Sequence, residues 1–283
     1  MKIYCVTHKE INGIEKLGLI PFGVGKNKFP EHYKTEQEGQ NISEKNYNYS
    51  ETSFHYWYWK NILKETDEKK WFGMCQYRRY FIKYEYKDQI DNTTGKQGYF
   101  PNIRNFGELE NLIQKGPSNK WENYDIILCE PWSVHVSSKM KIIKRGVKSI
   151  LRDPLIIFMK SRQNIRLHFE MFHGYDNLKK AINELPHKDK KDFIDYIESN
   201  TNLSGHCMFY SNNPSLINKF YTDLFDWLFK CEKVFGLDLQ GYDTQRIYSF
   251  LTERYMPFWF NKYSKVKYWP WIYCDITKFK SNY

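Results

Sequence analysis

Long apolar runs are missing from this sequence of 283 residues. The first residues, MKIYCVTH, hold no extended apolar segment of the targeting kind, and no later run approaches the roughly 20 residues of a membrane span. Stretches rich in proline, glycine and serine are missing too, so no linker divides the chain. We therefore expect a single domain that is soluble, or peripheral at a membrane, in the cytoplasm.

Paired cysteines and nucleic-acid signatures are also absent. The six cysteines form no Cys-x-x-Cys pair, which favours reduced core thiols over disulfides or a zinc site. No helix-turn-helix pattern, zinc-finger spacing or aromatic-basic repeat accompanies the net charge of +10. The charge therefore indicates a nucleotide or an anionic membrane surface as partner, and no nucleic acid.

Residues 71–81, WFGMCQYRRYF, carry the main indication of a binding site. The first of them are mostly apolar and predict a short buried strand that ends in Arg78 and Arg79. In open α/β sheets, ligands bind just beyond the carboxyl ends of the strands. Because a guanidinium group presents paired donors to phosphate oxygens, the two arginines suit a diphosphate or another anion. The alternative is that both pair with carboxylates elsewhere in the fold.

Further polar residues are expected at the same edge. Residues 3–7 predict the first buried strand and place Thr7 and His8 at its carboxyl end. Residues 41–63 predict one helix with Ser43 as its N-cap. Polar side chains cluster at its N-terminus, where free backbone N–H groups favour an anion: Asn41, Ser43, Lys45 and Asn46. These residues either face a ligand, as we expect, or only cap a buried helix.

The other elements follow from apolar periodicity and turn residues. Asp243 is the predicted N-cap of a last helix, and Pro257 follows the predicted end of that helix. The sequence thus predicts an α/β fold with a more helical C-terminal half. Strands are predicted at 124–130 and 204–211, helices at 106–116, 177–185, 188–199, 213–236 and 241–255, a turn at 21–25, and an exposed hairpin or loop at 83–98.

Residues 139–166 differ in composition from the rest of the chain. They hold nine lysines and arginines against one acid, Asp153, with aliphatic residues between them. Basic and apolar residues mixed at near-helical spacing are typical of a segment that lies on an anionic membrane. The alternative is a solvated helix that covers the core.

Three motifs resemble the signature of a bacterial family of capsular and exopolysaccharide biosynthesis proteins, whose members are taken to be glycosyltransferases. They are NIS-x-KN at 41–46, YWYWKN at 56–61 and GMCQYRRYF at 73–81. Weaker similarity continues through 173–178, 207–213 and 242–255, so most of the chain apart from 139–166 is covered. Gln76 stands where a histidine is usual and His206 where an asparagine is usual. Either difference is a candidate determinant of substrate choice.

The resemblance implies a GT-A-like fold, in which a nucleotide-sugar-binding mixed sheet is flanked by helices. By that analogy residues 1–135 bind the nucleotide sugar, 136–170 form a basic insert, and 171–283 form an acceptor-binding helical half. His206 would then precede an acceptor-side strand, and Gln245 and Arg246 would lie in a turn near the reacting sugar.

A metal-dependent transferase of this class needs an Asp-x-Asp pair to hold a divalent ion, and this chain contains none. Something cationic must still meet the diphosphate leaving group. We hypothesise that Arg78 and Arg79 replace the metal, helped by Lys45 or Lys60. No cofactor is therefore expected, with manganese or magnesium as the alternative.

The expected function is transfer of a hexosyl unit, a galactosyl unit being one candidate, from a UDP-sugar to a capsular, lipooligosaccharide or exopolysaccharide acceptor. Thr7, His8, Asn41, Ser43 and Asn46 would line the nucleotide side. Asp243 is the first candidate for the general base and Glu253 the second. The alternatives are a phosphoryl or other group transferase on the same polysaccharide, and a non-catalytic basic module that binds glycan or lipid.

Overall fold

A computed structural model describes residues 1–91, 97–135 and 139–279. The described part holds eleven strands and eleven α-helices. The strands are β1 Lys2–Thr7, β2 Ile20–Gly23, β3 Lys34–Thr35, β4 Phe72–Gln76, β5 Arg79–Phe81, β6 Ile126–Cys129, β7 Trp132–Ser133, β8 Asn202–Leu203, β9 Phe209–Ser211, β10 Val266–Trp269 and β11 Trp271–Tyr273. The helices are α1 Asn46–Tyr49, α2 Thr52–Asn61, α3 Phe106–Leu112, α4 Lys139–Arg145, α5 Val147–Arg152, α6 Ile165–His173, α7 Asn177–Asn183, α8 His187–Ser199, α9 Pro214–Phe235, α10 Tyr242–Gln245 and α11 Ile247–Tyr263.

Nine of the strands form one mixed sheet. Seven lie in the order β10-β6-β9-β4-β1-β2-β3, and β5 with β11 branches from β4. Strands β1, β2, β3 and β4 are mutually parallel, β9 runs against β4 and β6, and β10 is parallel to β6. The carboxyl ends of β1, β2, β4, β6 and β10 therefore meet at one edge, where the antiparallel strands β5 and β9 begin.

Alternation along the strands builds a core on each face of the sheet. In β1, Tyr4 and Val6 belong to one apolar cluster, whereas Ile3 and Cys5 belong to the other. The first cluster is completed by helices α2, α9 and α11 and the second by α3. All six cysteines are buried as free thiols. The predicted fold class, an α/β sheet flanked by helices with a more helical C-terminal half, is confirmed.

Several predicted element bounds are wrong for reasons of tertiary packing. Residues 21–25, expected as a turn, contain most of β2, because β1 supplies the backbone partners that this short segment cannot supply itself. The strand expected at 71–81 is two strands. The chain reverses direction at Tyr77 and Arg78, and β5 begins at Arg79. The strand expected at 204–211 is confined to β9.

Two helix predictions also need correction. The single helix expected at 41–63 is interrupted at Ser50, whose φ of 49° lies in the left-handed region, and Ser43 lies in a 3-10 turn without capping it. Asp243 lies inside the first turn of α10, after Gly241 as N-cap residue. Pro257 lies inside α11, where burial of residues 254–260 in the core outweighs the roughly 3 kcal/mol that an interior proline costs.

The predicted start and end of the longest helix are confirmed. Pro214 is the first residue of α9, and the Asn213 side chain accepts a hydrogen bond of 2.9 Å from the N–H of Leu216. Gly236, with a φ of 71°, ends the helix. None of the helices in the described ranges has the length and apolar character needed to cross a bilayer. The predicted division at residues 135 and 170 stays a prediction.

Candidate anion and transfer site

The sheet topology brings three of the predicted groups to one edge. Thr7 ends β1 and His8 follows it, Arg78 lies in the turn between β4 and β5, Arg79 is the first residue of β5, and His206 lies just before β9. Their grouping follows from the strand directions, because β9 and β5 begin where the parallel strands end. Burial lowers the pKa of His8, and the positive charges of Arg78 and Arg246 also lower it. Both arginines therefore lie near this side chain.

The two arginines that follow β4 have different partners. The Arg78 guanidinium packs over the Tyr77 ring, 4.8 Å from its centroid, and its Nε lies 3.3 Å from a carboxylate oxygen of Asp275. Arg79 donates a hydrogen bond of 2.6 Å to the side-chain oxygen of Gln76. Arg78 thus has the carboxylate partner that the alternative interpretation expected, although its side chain is still 38% exposed. Arg79 is bound to a neutral amide and has no ion pair among the described residues.

Glu51, which directly precedes α2, links these strands to the C-terminal half. One of its carboxylate oxygens accepts a hydrogen bond of 2.9 Å from Gln76, and the other accepts one of 3.2 Å from Arg246. The Arg246 guanidinium also donates to the hydroxyl of Ser50. Gln76, Glu51 and Arg246 therefore form a continuous chain of hydrogen bonds with Arg79. We call Arg78, Arg79 and Arg246, with Glu51 and Glu253, the arginine site.

Glu253, on α11, is the second carboxylate of the arginine site. Burial and, to a smaller extent, the negative charge of Glu51 raise its pKa, while Arg254, Arg79 and Arg246 lower it, and the resulting pKa is about 7. Its carboxylate accepts a hydrogen bond of 2.5 Å from Arg254. Glu253 can therefore gain and lose a proton near neutral pH, which is the property that a general base needs.

Arg254 is 1% exposed and is fixed by two neutral histidines. It lies 3.1 Å from His168 Nδ1 and 3.3 Å from His173 Nε2, and burial with the arginine charge lowers the pKa of these rings to about 3 and about 2. His173 Nδ1 lies 3.0 Å from the backbone oxygen of Asp243 and donates to it, so His173 accepts from Arg254 through Nε2, and His168 accepts through Nδ1. This cluster holds Glu253 in place beneath the arginine site.

His206 lies in a buried aromatic setting at the same edge. Its ring centroid is 4.1 Å from that of Trp271 and 6.4 Å from that of Trp132. Burial and the charge of Arg79 keep its pKa well below the usual value, and its Nε2 has no hydrogen-bond partner among the described residues. The ring is therefore neutral, and one of its nitrogens is buried without a hydrogen bond to the described residues.

The polar cluster predicted at residues 41–46 uses its side chains within the fold. Asn41 accepts hydrogen bonds from the N–H and the hydroxyl of Ser43, and Asn46 donates to Ser50 and Ser53. The Lys45 ammonium pairs with Glu232 of α9 at 2.6 Å.

Other predicted residues have partners of their own. Asp243 pairs with Arg145 at 3.0 Å, and its side chain is 48% exposed. Gln245 accepts a hydrogen bond from Asn48 through its backbone oxygen. The hydroxyl of Thr7 donates to the backbone of Lys9. Lys60 lies at the far end of α2 from Glu51 and covers the Trp59 ring, so it is not grouped with the arginines.

Two acidic residues of this edge were missed by the sequence interpretation. Glu51 stands immediately before a helix, a position typical of an acidic residue at a helix N-terminus, and that signal was available in the sequence. Glu36 is fully buried, accepts a hydrogen bond of 2.7 Å from the N–H of Gly25, and has a pKa raised to about 7 by burial. Gly25 has a φ of 81°, and a Cβ there would lie 3.0 Å from Asn46. Glu36 thus secures the loop after β2.

Within residues 1–91, 97–135 and 139–279, no group of three or more histidine, cysteine, aspartate or glutamate side chains is arranged to hold a metal ion. A cavity of about 730 Å³ opens beside Tyr84, Gln114, Lys120 and Trp269. None of its lining residues belongs to the arginine site. The chemistry that the described residues support at this edge is therefore binding of an anion by guanidinium groups, with a titratable carboxylate beside it.

The comparisons with known proteins give a family and a fold. The family model described as "Domain of unknown function (DUF4422)" matches residues 2–265. No curated protein sequence matches the chain. The apo structure of the bifunctional glycosyltransferase WbbM is similar with a TM-score of 0.71 and 22% sequence identity, covering 96% of this chain and 45% of the WbbM chain. The chain thus spans less than half the length of that protein, and the likeness concerns the fold.

Proposed function

The chain belongs to the DUF4422 family, and we propose that it is a glycosyltransferase that uses a nucleoside-diphosphate sugar as donor. The observation that carries this proposal is the arginine site at the carboxyl edge of the sheet, where Arg79 and Arg246 are joined through Gln76 and Glu51. The fold shared with a protein described as a bifunctional glycosyltransferase supports it. The donor is a UDP-hexose in this proposal, with galactose as one candidate, and the acceptor is a capsular, lipooligosaccharide or exopolysaccharide chain.

In the proposed reaction the arginines bind the diphosphate and stabilise it as it leaves. The bond between the anomeric carbon and the diphosphate oxygen breaks, and the diphosphate takes the electron pair. Because negative charge grows on that oxygen, fixed guanidinium donors beside it stabilise the transition state more than the bound donor. Glu51 holds Gln76 and Arg246 before the donor arrives, so little rearrangement is needed on binding.

Glu253 is the proposed general base. It accepts the proton of the acceptor hydroxyl while that oxygen forms its bond to the anomeric carbon, and a single displacement of this kind inverts the configuration. Asp243 was the first candidate from the sequence, but it pairs with Arg145 and its side chain is half exposed. Glu253, in contrast, lies within the field of Arg79 and Arg246 and has a pKa near neutrality. We therefore place Glu253 before Asp243.

The proposal includes catalysis without a divalent ion, because the sequence has no Asp-x-Asp pair and the arginines offer the positive charge. Activity is expected to survive an excess of chelator. Activity that chelator abolishes and manganese restores would contradict this part of the proposal.

Donor binding is tested first by thermal shift against UDP, GDP and CMP, and then by hydrolysis of a panel of nucleotide sugars, which requires no acceptor. We expect a specific shift with one nucleoside diphosphate. Arg79→Gln and Arg246→Gln should each weaken its binding about 10- to 100-fold, the range for a lost charge-assisted hydrogen bond. Arg104→Gln is the matched control, because Arg104 is exposed and outside the site.

Two outcomes would favour other functions. A protein that binds no nucleotide but retains anionic glycan would be a non-catalytic binding module. A protein that binds nucleotide but transfers the phosphoryl group, and releases no free sugar from any donor, would be a phosphotransferase using the same arginines. Glycosyl transfer explains more directly than either alternative why a carboxylate with a pKa near 7 lies beside the arginines.

A further inference from the structure

The segment 139–159 exposes an unusual number of large apolar side chains. Seven of the fifteen exposed large hydrophobic residues of the described chain lie in these 21 positions. Leu151 is 79% exposed and Phe158 is 73% exposed, which are the two highest values among them. The seven are Met140, Ile143, Val147, Leu151, Leu155, Phe158 and Met159. Soluble monomers rarely group exposed apolar residues in this way unless the patch binds a partner.

The exposed side chains belong to an anchored segment. Its inner residues Ile142 and Ile156 are buried with Leu167 and Met171 in a small apolar cluster against α6. Glu170 of α6 accepts hydrogen bonds of 3.0 Å from both terminal nitrogens of Arg152. The inner side of the segment is therefore packed against the protein, whereas the seven exposed apolar side chains remain in contact with solvent.

Charge identifies the partner chemistry. The exposed lysines of this segment have no acidic partner among the described residues, whereas Arg145, Arg152 and Arg162 form ion pairs within the protein. Apolar side chains surrounded by unpaired ammonium groups suit an anionic lipid surface, where the apolar groups enter the acyl boundary and the lysines meet the headgroups. The lysines are Lys139, Lys141, Lys144, Lys148 and Lys160.

The segment also adjoins the arginine site. Arg145, at the end of α4, pairs with Asp243 of α10 at 3.0 Å. Arg246, three residues further along the chain, contributes a guanidinium to the arginine site. A surface bound at α4 and α5 would therefore lie beside the segment that contributes Arg246 to the arginine site.

We propose that the outer face of residues 139–160 docks the protein on an anionic membrane surface, with Leu151 and Phe158 as the inserted anchors. If the proposed transferase function holds, on which this extension rests, the docked orientation presents the arginine site to a lipid-linked glycan acceptor.

Co-sedimentation of the whole chain with vesicles tests the docking. We expect binding to vesicles of equimolar phosphatidylcholine and phosphatidylglycerol, and little binding to phosphatidylcholine alone. The variant Leu151→Ser/Phe158→Ser should lose at least about tenfold in affinity. Each Lys→Gln change at Lys141, Lys144 or Lys148 should cost about fivefold at low salt, and added salt should weaken wild-type binding.

The control is a triple variant on and after α9, Lys233→Gln/Val234→Ser/Leu237→Ser, which removes one charge and two exposed apolar side chains outside the segment. It should bind like the wild type. Equal binding of wild type to both vesicle types, or unchanged binding of the Leu151→Ser/Phe158→Ser variant, would overturn the proposal. So would a concentration-dependent dimer in sedimentation velocity that this variant abolishes, because the face would then be covered by a second copy.

The membrane assay and the donor assay fail independently. Vesicle binding is measured without donor, and donor hydrolysis is measured without lipid. A chain that binds vesicles but turns over no donor keeps the docking surface and loses the proposed function. A chain that turns over donor but does not bind anionic vesicles retains the proposed function and excludes the docking surface.

Discussion

The raised pKa of Glu253 predicts how turnover depends on pH. In the free protein its pKa is raised from 4.5 to about 7, mainly by burial. A general base must be ionised to accept a proton, so the rate should follow the ionised fraction. That fraction is about one tenth at pH 6, one half at pH 7 and nine tenths at pH 8 for a group of this pKa. We therefore expect kcat/KM to rise about tenfold between pH 6 and pH 8.

The assay is donor turnover at saturating acceptor, or donor hydrolysis if the acceptor is unknown, measured in half-unit steps of pH. Glu253→Gln should lower kcat by about 100- to 10,000-fold, the usual worth of a positioned base. The glutamine oxygen can still accept the hydrogen bond from Arg254, so the fold should survive, and thermal unfolding checks this. Asp243→Asn is the comparison, and we expect it to keep most of the activity because Asp243 is half exposed.

Donor binding should move this pKa in a known direction. Arg79 and Arg246 lower the pKa of Glu253, and a bound diphosphate would neutralise part of their charge. The acid limb of kcat, which reports the bound enzyme, should therefore lie at higher pH than that of kcat/KM. A flat profile between pH 6 and pH 8, or a Glu253→Gln variant with wild-type turnover and a folded core, would refute the assignment.

Three further changes follow from the same geometry. Arg78→Ala should lower turnover severely while costing little stability, because its pair with Asp275 is partly exposed; unfolding of the variant would mark Arg78 as structural. Glu51→Gln should move the acid limb of kcat/KM to lower pH, since the Glu51 charge raises the pKa of Glu253; an unmoved limb would contradict this coupling. In urea unfolding, the free energy of unfolding of Glu36→Gln should fall less between pH 5 and pH 8 than that of the wild type. Glu36 keeps its proton up to about pH 7 in the native protein but loses it near pH 4.5 in the unfolded chain, so wild-type stability falls in that window by up to about 3 kcal/mol. Equal falls in the two proteins would exclude the assignment.

The sequence predicted best those features that depend on neighbouring residues. A continuous run of β-branched and aromatic residues located β1, and an apolar run ending in charge located β4 with the two arginines after it. The position of Arg78 and Arg79 at the carboxyl edge then follows from a general property of α/β sheets. The β2 strand was missed because its few residues, which include proline and glycine, have low intrinsic strand preference and are held by pairing with β1.

The partners of the arginines could not be predicted from the sequence. Glu51 and Arg246 are 195 residues apart, and only the packing of α1 and α2 against α11 brings them together. The helix predicted through Ser50 would have carried Glu51 within a continuous helix, whereas the left-handed residue at Ser50 interrupts it just before Glu51. The resemblance of residues 242–255 to the family thus led to Asp243, whose side chain pairs with the exposed Arg145.

The arrangement of charge explains why such a site would be built from three separate segments. Three guanidinium groups placed together without counter-charge would repel one another, so Glu51 and Asp275 are needed to hold Arg246 and Arg78 in the free protein. Arg79 is held by Gln76 instead, through a neutral amide. In the proposed function a diphosphate would bind Arg79, which has no ion pair among the described residues. It would then displace the carboxylate partners of Arg78 and Arg246, because it supplies more negative charge than either carboxylate. The amide of Gln76 thus positions Arg79 without placing a negative charge beside it.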